Sequence, residues 1–144
     1  MFDILSELNL TRGANQTLSG TTPNNSALID MQGWNALIVY LRTAAVTDAG
    51  AAAGFTMKLQ HSDSTVAGTF VDVPAGQVSG AVSVTSDDDD NKAIGGIRYV
   101  GNRRYVRAVI TGTADTNAVV YVDFLRGRPA TSPVASIGAT TAAT

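Results

Sequence analysis

From Phe55 to Arg126 the chain repeatedly alternates apolar and polar residues with a period of two, the signature of strands buried on one face. In Phe55–His61, Phe55, Met57 and Leu59 are expected inward and Thr56, Lys58 and Gln60 outward. In Ala118–Arg126, Val120, Val122 and Phe124 share one face, and Val119, Tyr121, Asp123 and Leu125 the other. The densest pattern lies between Ile94 and Thr111. It reads as a strand to Val100, a Gly101-Asn102 hairpin turn, and a second strand from Arg103. There Val106, Ala108 and Ile110 are expected in the core, with Tyr105, Arg107 and Val109 opposite. Ala27–Met31, Phe70–Val73 and Ala81–Thr85 are shorter strands. Trp34–Leu41 is apolar on both faces, and its β-branched and aromatic content makes it a central or covered strand.

The remaining segments read as connections and arms. Phe2, Ile4, Leu5 and Leu8 fall at helical spacing, so residues 1–10 form either a short turn packed on the domain or an arm docking on a neighbour. Residues 11–26 are polar and rich in Gly, Asn and Thr, which predicts extended arm or loop. The alanines after Arg42 are broken by Gly50 and Gly54, which predicts another loop. Past Gly127 a Pro, Ala, Ser and Thr tail has no core periodicity. These elements predict an all-β protein, a jelly-roll-like β-sandwich of about eight strands. Its parts are an N-terminal arm (1–26), a sandwich (27–128) and a C-terminal tail (129–144).

Composition narrows the chemistry. At 144 residues the chain can bury a core without staples. Only 15% of residues are charged, below the roughly 25% typical of soluble domains, which suits a surface resting on another protein. A net charge of −2 offers no field to gather nucleic acid. Cysteine is absent, Asp3 and Glu7 interrupt any signal-peptide pattern, and no apolar run is long enough to span a membrane.

His61, the single histidine, adjoins Ser62 and Asp63, but adjacency in sequence is not a triad, and a structural role is expected. Glu7 is the single glutamate, so nothing nominates a carboxylate pair. Asp87–Asp90 lacks the spacing of a calcium loop and reads as a solvated acidic loop, one that could also meet arginines of another copy. Gly95-Gly96 lacks the remainder of a phosphate loop. No catalytic, metal or cofactor site is expected. Arg98, Arg103, Arg104, Arg107, Arg126 and Arg128 could contact phosphate, but the few aromatics and the acidic run favour a protein interface.

The motif F-x-M-x-L-Q (Phe55, Met57, Leu59, Gln60) precedes a Ser-Asp turn and an F-x-D-V strand (Phe70, Asp72, Val73). G-x-R-R-Y-V-R follows (Gly101, Arg103, Arg104, Tyr105, Val106, Arg107), and then R-G-x-P (Arg126, Gly127, Pro129). Across residues 27–133 this series resembles small head proteins of tailed bacteriophages, of the cement kind found in Bordetella-type short-tailed phages. The resemblance implies a jelly-roll cement or decoration protein on the outside of an icosahedral capsid, bridging major capsid subunits, with no enzymatic activity.

The expected partner is therefore the major capsid protein, and the expected state a homodimer or homotrimer, with no nucleic acid or membrane partner. The expected location is the virion surface after synthesis in the host cytoplasm. Candidate interface residues are Phe2, Leu5, Leu8, Arg98, Arg103, Arg104, Arg107 and Arg126. Two alternatives stay open. One is a head-completion or tail component. The other is a carbohydrate- or receptor-binding sandwich using Trp34, Tyr99, Tyr105 or Tyr121.

Overall fold

A computed structural model describes residues 8–129. In chain order the strands are β1 (Leu8–Ser19), β2 (Asn24–Asn25), β3 (Ile29–Asp30), β4 (Trp34–Asp48), β5 (Phe55–Ser62) and β6 (Val71–Asp72). β7 (Val78–Ser79), β8 (Val82–Val84), β9 (Ala93–Tyr99), β10 (Tyr105–Thr111) and β11 (Asn117–Pro129) follow. One sheet runs β1-β11-β4-β9-β7. The other centres on β10 and β5, with β2 and β3 sharing the free side of β10 and β6 and β8 sharing that of β5. All pairings are antiparallel. The first long strand lies beside the last, and from β4 onward successive long strands alternate between sheets, as in a jelly roll.

The alternation places the core as expected. Phe55, Met57 and Leu59 from β5 and Val106, Ala108 and Ile110 from β10 face Val120, Val122 and Phe124 from β11, all buried. β4 lies between β11 and β9, and its Leu37, Val39 and Leu41 are fully buried. Its apolar run is thus that of a strand interior to its sheet.

Four expectations are corrected. Residues 8–19 are not loop or helical turn but a strand paired with β11 from Leu8–Gly127 to Ser19–Asn117. The polar sequence hid it because β1 is an edge strand that fully buries only Gly13 and Leu18. The sandwich therefore begins within the expected 1–26 arm; Phe2, Leu5 and the tail from residue 130 lie outside the described residues.

β4 also continues through the expected loop to Asp48. A register shift opposite Ala118 and Val120 moves its buried positions from Leu41 and Thr43 to Val46. An added residue reverses which parity faces the core, so the alternation breaks while the strand does not.

The Ile94–Thr111 segment is not a hairpin. β9 pairs β4 and β7, whereas β10 pairs β5, β2 and β3, so the Gly101-Asn102 segment crosses between sheets. Tyr99 sets the path. Its buried hydroxyl accepts the Arg103 N–H at 3.1 Å, and a Cβ on Gly101 would fall 2.5 Å from its ring. The chain wraps the tip of that ring and emerges in the opposite sheet.

The acidic run is not simply solvated. Asp87 Oδ1 accepts the Ala49 N–H at 2.7 Å, and Asp90 Oδ1 accepts the Val46 N–H at 2.5 Å. The Asn91 N–H reaches the Ala44 carbonyl at 2.8 Å. The loop thus satisfies backbone donors at the far end of β4, where the ladder is irregular.

Candidate functional site

The outward face of the β1-β11-β4-β9 sheet is built by register. Leu10, Leu125, Ile38 and Arg98 lie side by side across four strands. The next row is Arg12, Asp123, Tyr40 and Gly96, and a third holds Asn15, Tyr121 and Arg42. Residues directly opposite in antiparallel strands share a face, so these form one continuous surface. Leu10 is 49% exposed and Tyr40 38%. Gly96 keeps the surface flat. A Cβ there would lie 2.8 Å from Ile38 and 3.2 Å from the Tyr40 ring, so both side chains lie down across β9. Arg42 donates to Asp123 at 2.8 Å and sits 5.0 Å from the Tyr121 ring centroid. Leucine, isoleucine, tyrosine and arginine around one carboxylate make an amphipathic surface of the composition found at protein contacts.

The arginines named from sequence do not share one surface. Arg98 is exposed on this sheet, with no side-chain hydrogen bond among the described residues. Arg104 faces away, bidentate to Asp30 at 3.1 and 3.0 Å, and it pulls the Asp30 carboxyl below its usual range through those bonds. Arg107 donates twice to Gln60 Oε1, at 3.0 and 2.7 Å, with its guanidinium 4.5 Å from the Phe70 ring centroid. Arg126 reaches the Asp30 carbonyl and Asn9 Oδ1 and stacks 4.8 Å from the Trp34 ring. Arg103 lies 3.5 Å from Asp63. Arg104 and Arg107 thus brace neighbouring segments of the β10-β5 sheet, Arg126 links the two sheets, and Leu8 opens β1.

Leu10, Ile38, Tyr40 and Leu125 were missed as surface residues, and Tyr121 was considered only for carbohydrate. The signal for them was present: strands apolar on both faces, with the second face not buried. Of the aromatics considered for carbohydrate, Tyr99 is buried, while Trp34, Tyr105 and Tyr121 are half-buried.

His61 is buried and bridges the two sheets, its Nδ1 2.9 Å from the Tyr99 hydroxyl. That oxygen also accepts the Arg103 N–H, and which partner donates in the His61–Tyr99 bond follows the imidazole tautomer. Burial first, then the Arg103 charge, lowers the His61 pKa, against a smaller upward pull from Asp63. Burial likewise raises the Tyr99 pKa.

Because the folded pKa lies below the ordinary 6.5, the unfolded chain binds more protons as pH falls through that value. Stability is expected to drop from pH 6.5 downward until the folded pKa is passed, and then to level off on His61's account. Asp72, lowered by Gln60 and Lys58, and Asp30 lose their contribution only below 3.8. Denaturant midpoints across pH should therefore show two separate declines. His61→Gln should remove the one nearer neutrality; a decline that survives it would contradict this assignment.

Among the described residues no group of three or more His, Cys, Asp or Glu side chains is placed to hold a metal ion, and no helix is long and apolar enough to cross a membrane. Compared with known proteins, the chain matches no family model and no curated protein.

Proposed function

We propose that this is a tailed-phage virion protein that lies on the outside of the icosahedral capsid and cements neighbouring major capsid subunits. The observation that carries the reading is the flat Leu10, Leu125, Ile38, Tyr40 and Tyr121 surface with Arg12, Arg42 and Arg98 around it. Such a surface suits another protein better than a small substrate, because it is broad and shallow and mixes apolar anchors with guanidinium donors. The motif resemblance supplies the partner. No catalytic step is assigned to it. A rigid two-sheet body repeated over a shell, each copy touching more than one subunit, multiplies modest contacts into strong attachment.

The test uses shells of the phage whose head carries the protein, stripped of it. Adding the full chain should raise the temperature at which the shells break open. Tyr40→Glu and Arg98→Glu, at outward positions, should melt like wild type and bind the shells about tenfold or more weakly, a loss of at least ~1.4 kcal/mol. Shells that bind the protein and become no tougher would remove the cementing role. Unchanged binding by both variants would remove this face as the contact. A head-completion or tail component would instead appear in virions as a single ring of copies, which quantitative densitometry distinguishes from coverage of the whole shell.

A further inference from the structure

A cleft of about 450 Å³ opens at one end of the sandwich, where the β3–β4 turn, the residue after β5 and the β9–β10 crossover converge. Gln32, Asn35 and Asn102 line it, and none of their side-chain amides has a hydrogen-bond partner among the described residues. Trp34 forms an apolar wall, its ring held by the Arg126 guanidinium 4.8 Å from the centroid. Asp63 and Arg103 complete the wall 3.5 Å apart, and the neighbouring Arg104 is committed to Asp30.

Three features define the occupant. Each carboxamide both donates and accepts, as does each hydroxyl of a polyol, so the two match without any change of protonation. Arg103 and Arg104 are each paired with a carboxylate, Asp63 and Asp30, and Arg126 is engaged by the Asp30 carbonyl, Asn9 and the Trp34 ring, so none of the three guanidiniums is left free to hold an anion. The volume falls within the roughly 300–1,000 Å³ of small-molecule sites, and the indole offers an apolar surface to ring C–H groups. We infer that this cleft binds a neutral sugar residue, such as the end of a surface glycan, hydrogen-bonded by Asn35, Asn102 and Gln32 and packed on Trp34. The inference stands apart from the capsid reading, since the cleft lies at the end of the sandwich and the docking surface on the outside of one sheet.

The test is ligand-observed saturation-transfer NMR with the full chain. The probes are glucose, galactose, mannose and N-acetylglucosamine, with N-acetylneuraminic acid and inorganic phosphate as charged comparisons. At least one neutral sugar should bind at millimolar concentration. Asn35→Ala and Asn102→Ala together should weaken it about tenfold, as expected for two lost hydrogen bonds. Both positions are exposed, so the melting temperature should be unchanged, which separates lost recognition from lost fold. No binding by any neutral sugar, binding confined to the charged probes, or binding indifferent to the double variant would each overturn the assignment.

Discussion

Replacing Phe124 with alanine is expected to cost about 3–5 kcal/mol, the range for removing a buried phenylalanine ring. The side chain is fully buried on β11, which is hydrogen-bonded on one side to β1 and on the other to β4. Its cross-strand neighbours are Thr11 and Val39. The ring also fills the space left at Gly13, where β1 shifts register: a Cβ there would fall 2.9 and 3.1 Å from ring carbons. Two ladders fix β11 in place, so the sheet cannot close over the vacated volume, and the cavity term adds to the lost burial. Urea or guanidinium unfolding measures the loss. A cost below about 1 kcal/mol would mean that β1 or β4 relaxes into the hole. Phe124→Leu, which keeps most of the volume, should cost less than half as much.

Gly54→Ala is expected to cost more than ~2 kcal/mol through two separable effects. Gly54 has φ +63, a left-handed conformation that costs an ordinary residue roughly 1–2 kcal/mol. It also turns the chain into β5 immediately beneath β8. A Cβ would overlap the Val84 carbonyl oxygen and lie 2.7 Å from its carbon and 2.9 Å from the Thr85 Cα. These are backbone atoms fixed by the Phe55–Val84 pairing, so no side chain can swing aside. Gly20 provides the control: φ is +57, with nothing within 4 Å of an added Cβ. Gly20→Ala should show the conformational cost alone. Chemical denaturation of both variants reports the difference, and equal losses would show that the β5–β8 contact yields.

How much was legible depended on where each strand lies. β5, β10 and β11 each bury one parity of residues for their whole described length or most of it, and their core faces were readable residue by residue. β1 was not, because an edge strand can be polar along most of its length while its backbone is paired on one side. The outward surface of the β1-β11-β4-β9 sheet was half legible. The apolar second faces of β4 and β11 were visible, but only register shows that Ile38, Leu125 and Leu10 form one row. The arginines drew attention as a cluster, yet Arg98 is on one sheet and Arg107 on the other. The cleft joins residues 32–35, 63 and 102–103, which no spacing in the chain connects.

The sequence by itself determined the all-β class, the inward residues of the regular strands and a structural role for His61. These follow from period-two burial and from the chemistry of a single isolated histidine, both local properties. Tertiary structure decided that the Gly101-Asn102 turn crosses between sheets, that the acidic run serves β4, and which outward residues stand together. Pairing partners are chosen by non-local burial of a shared core. In a jelly roll, consecutive strands bury the same core from opposite sides, so a local reversal signal cannot name the strand that will lie beside it.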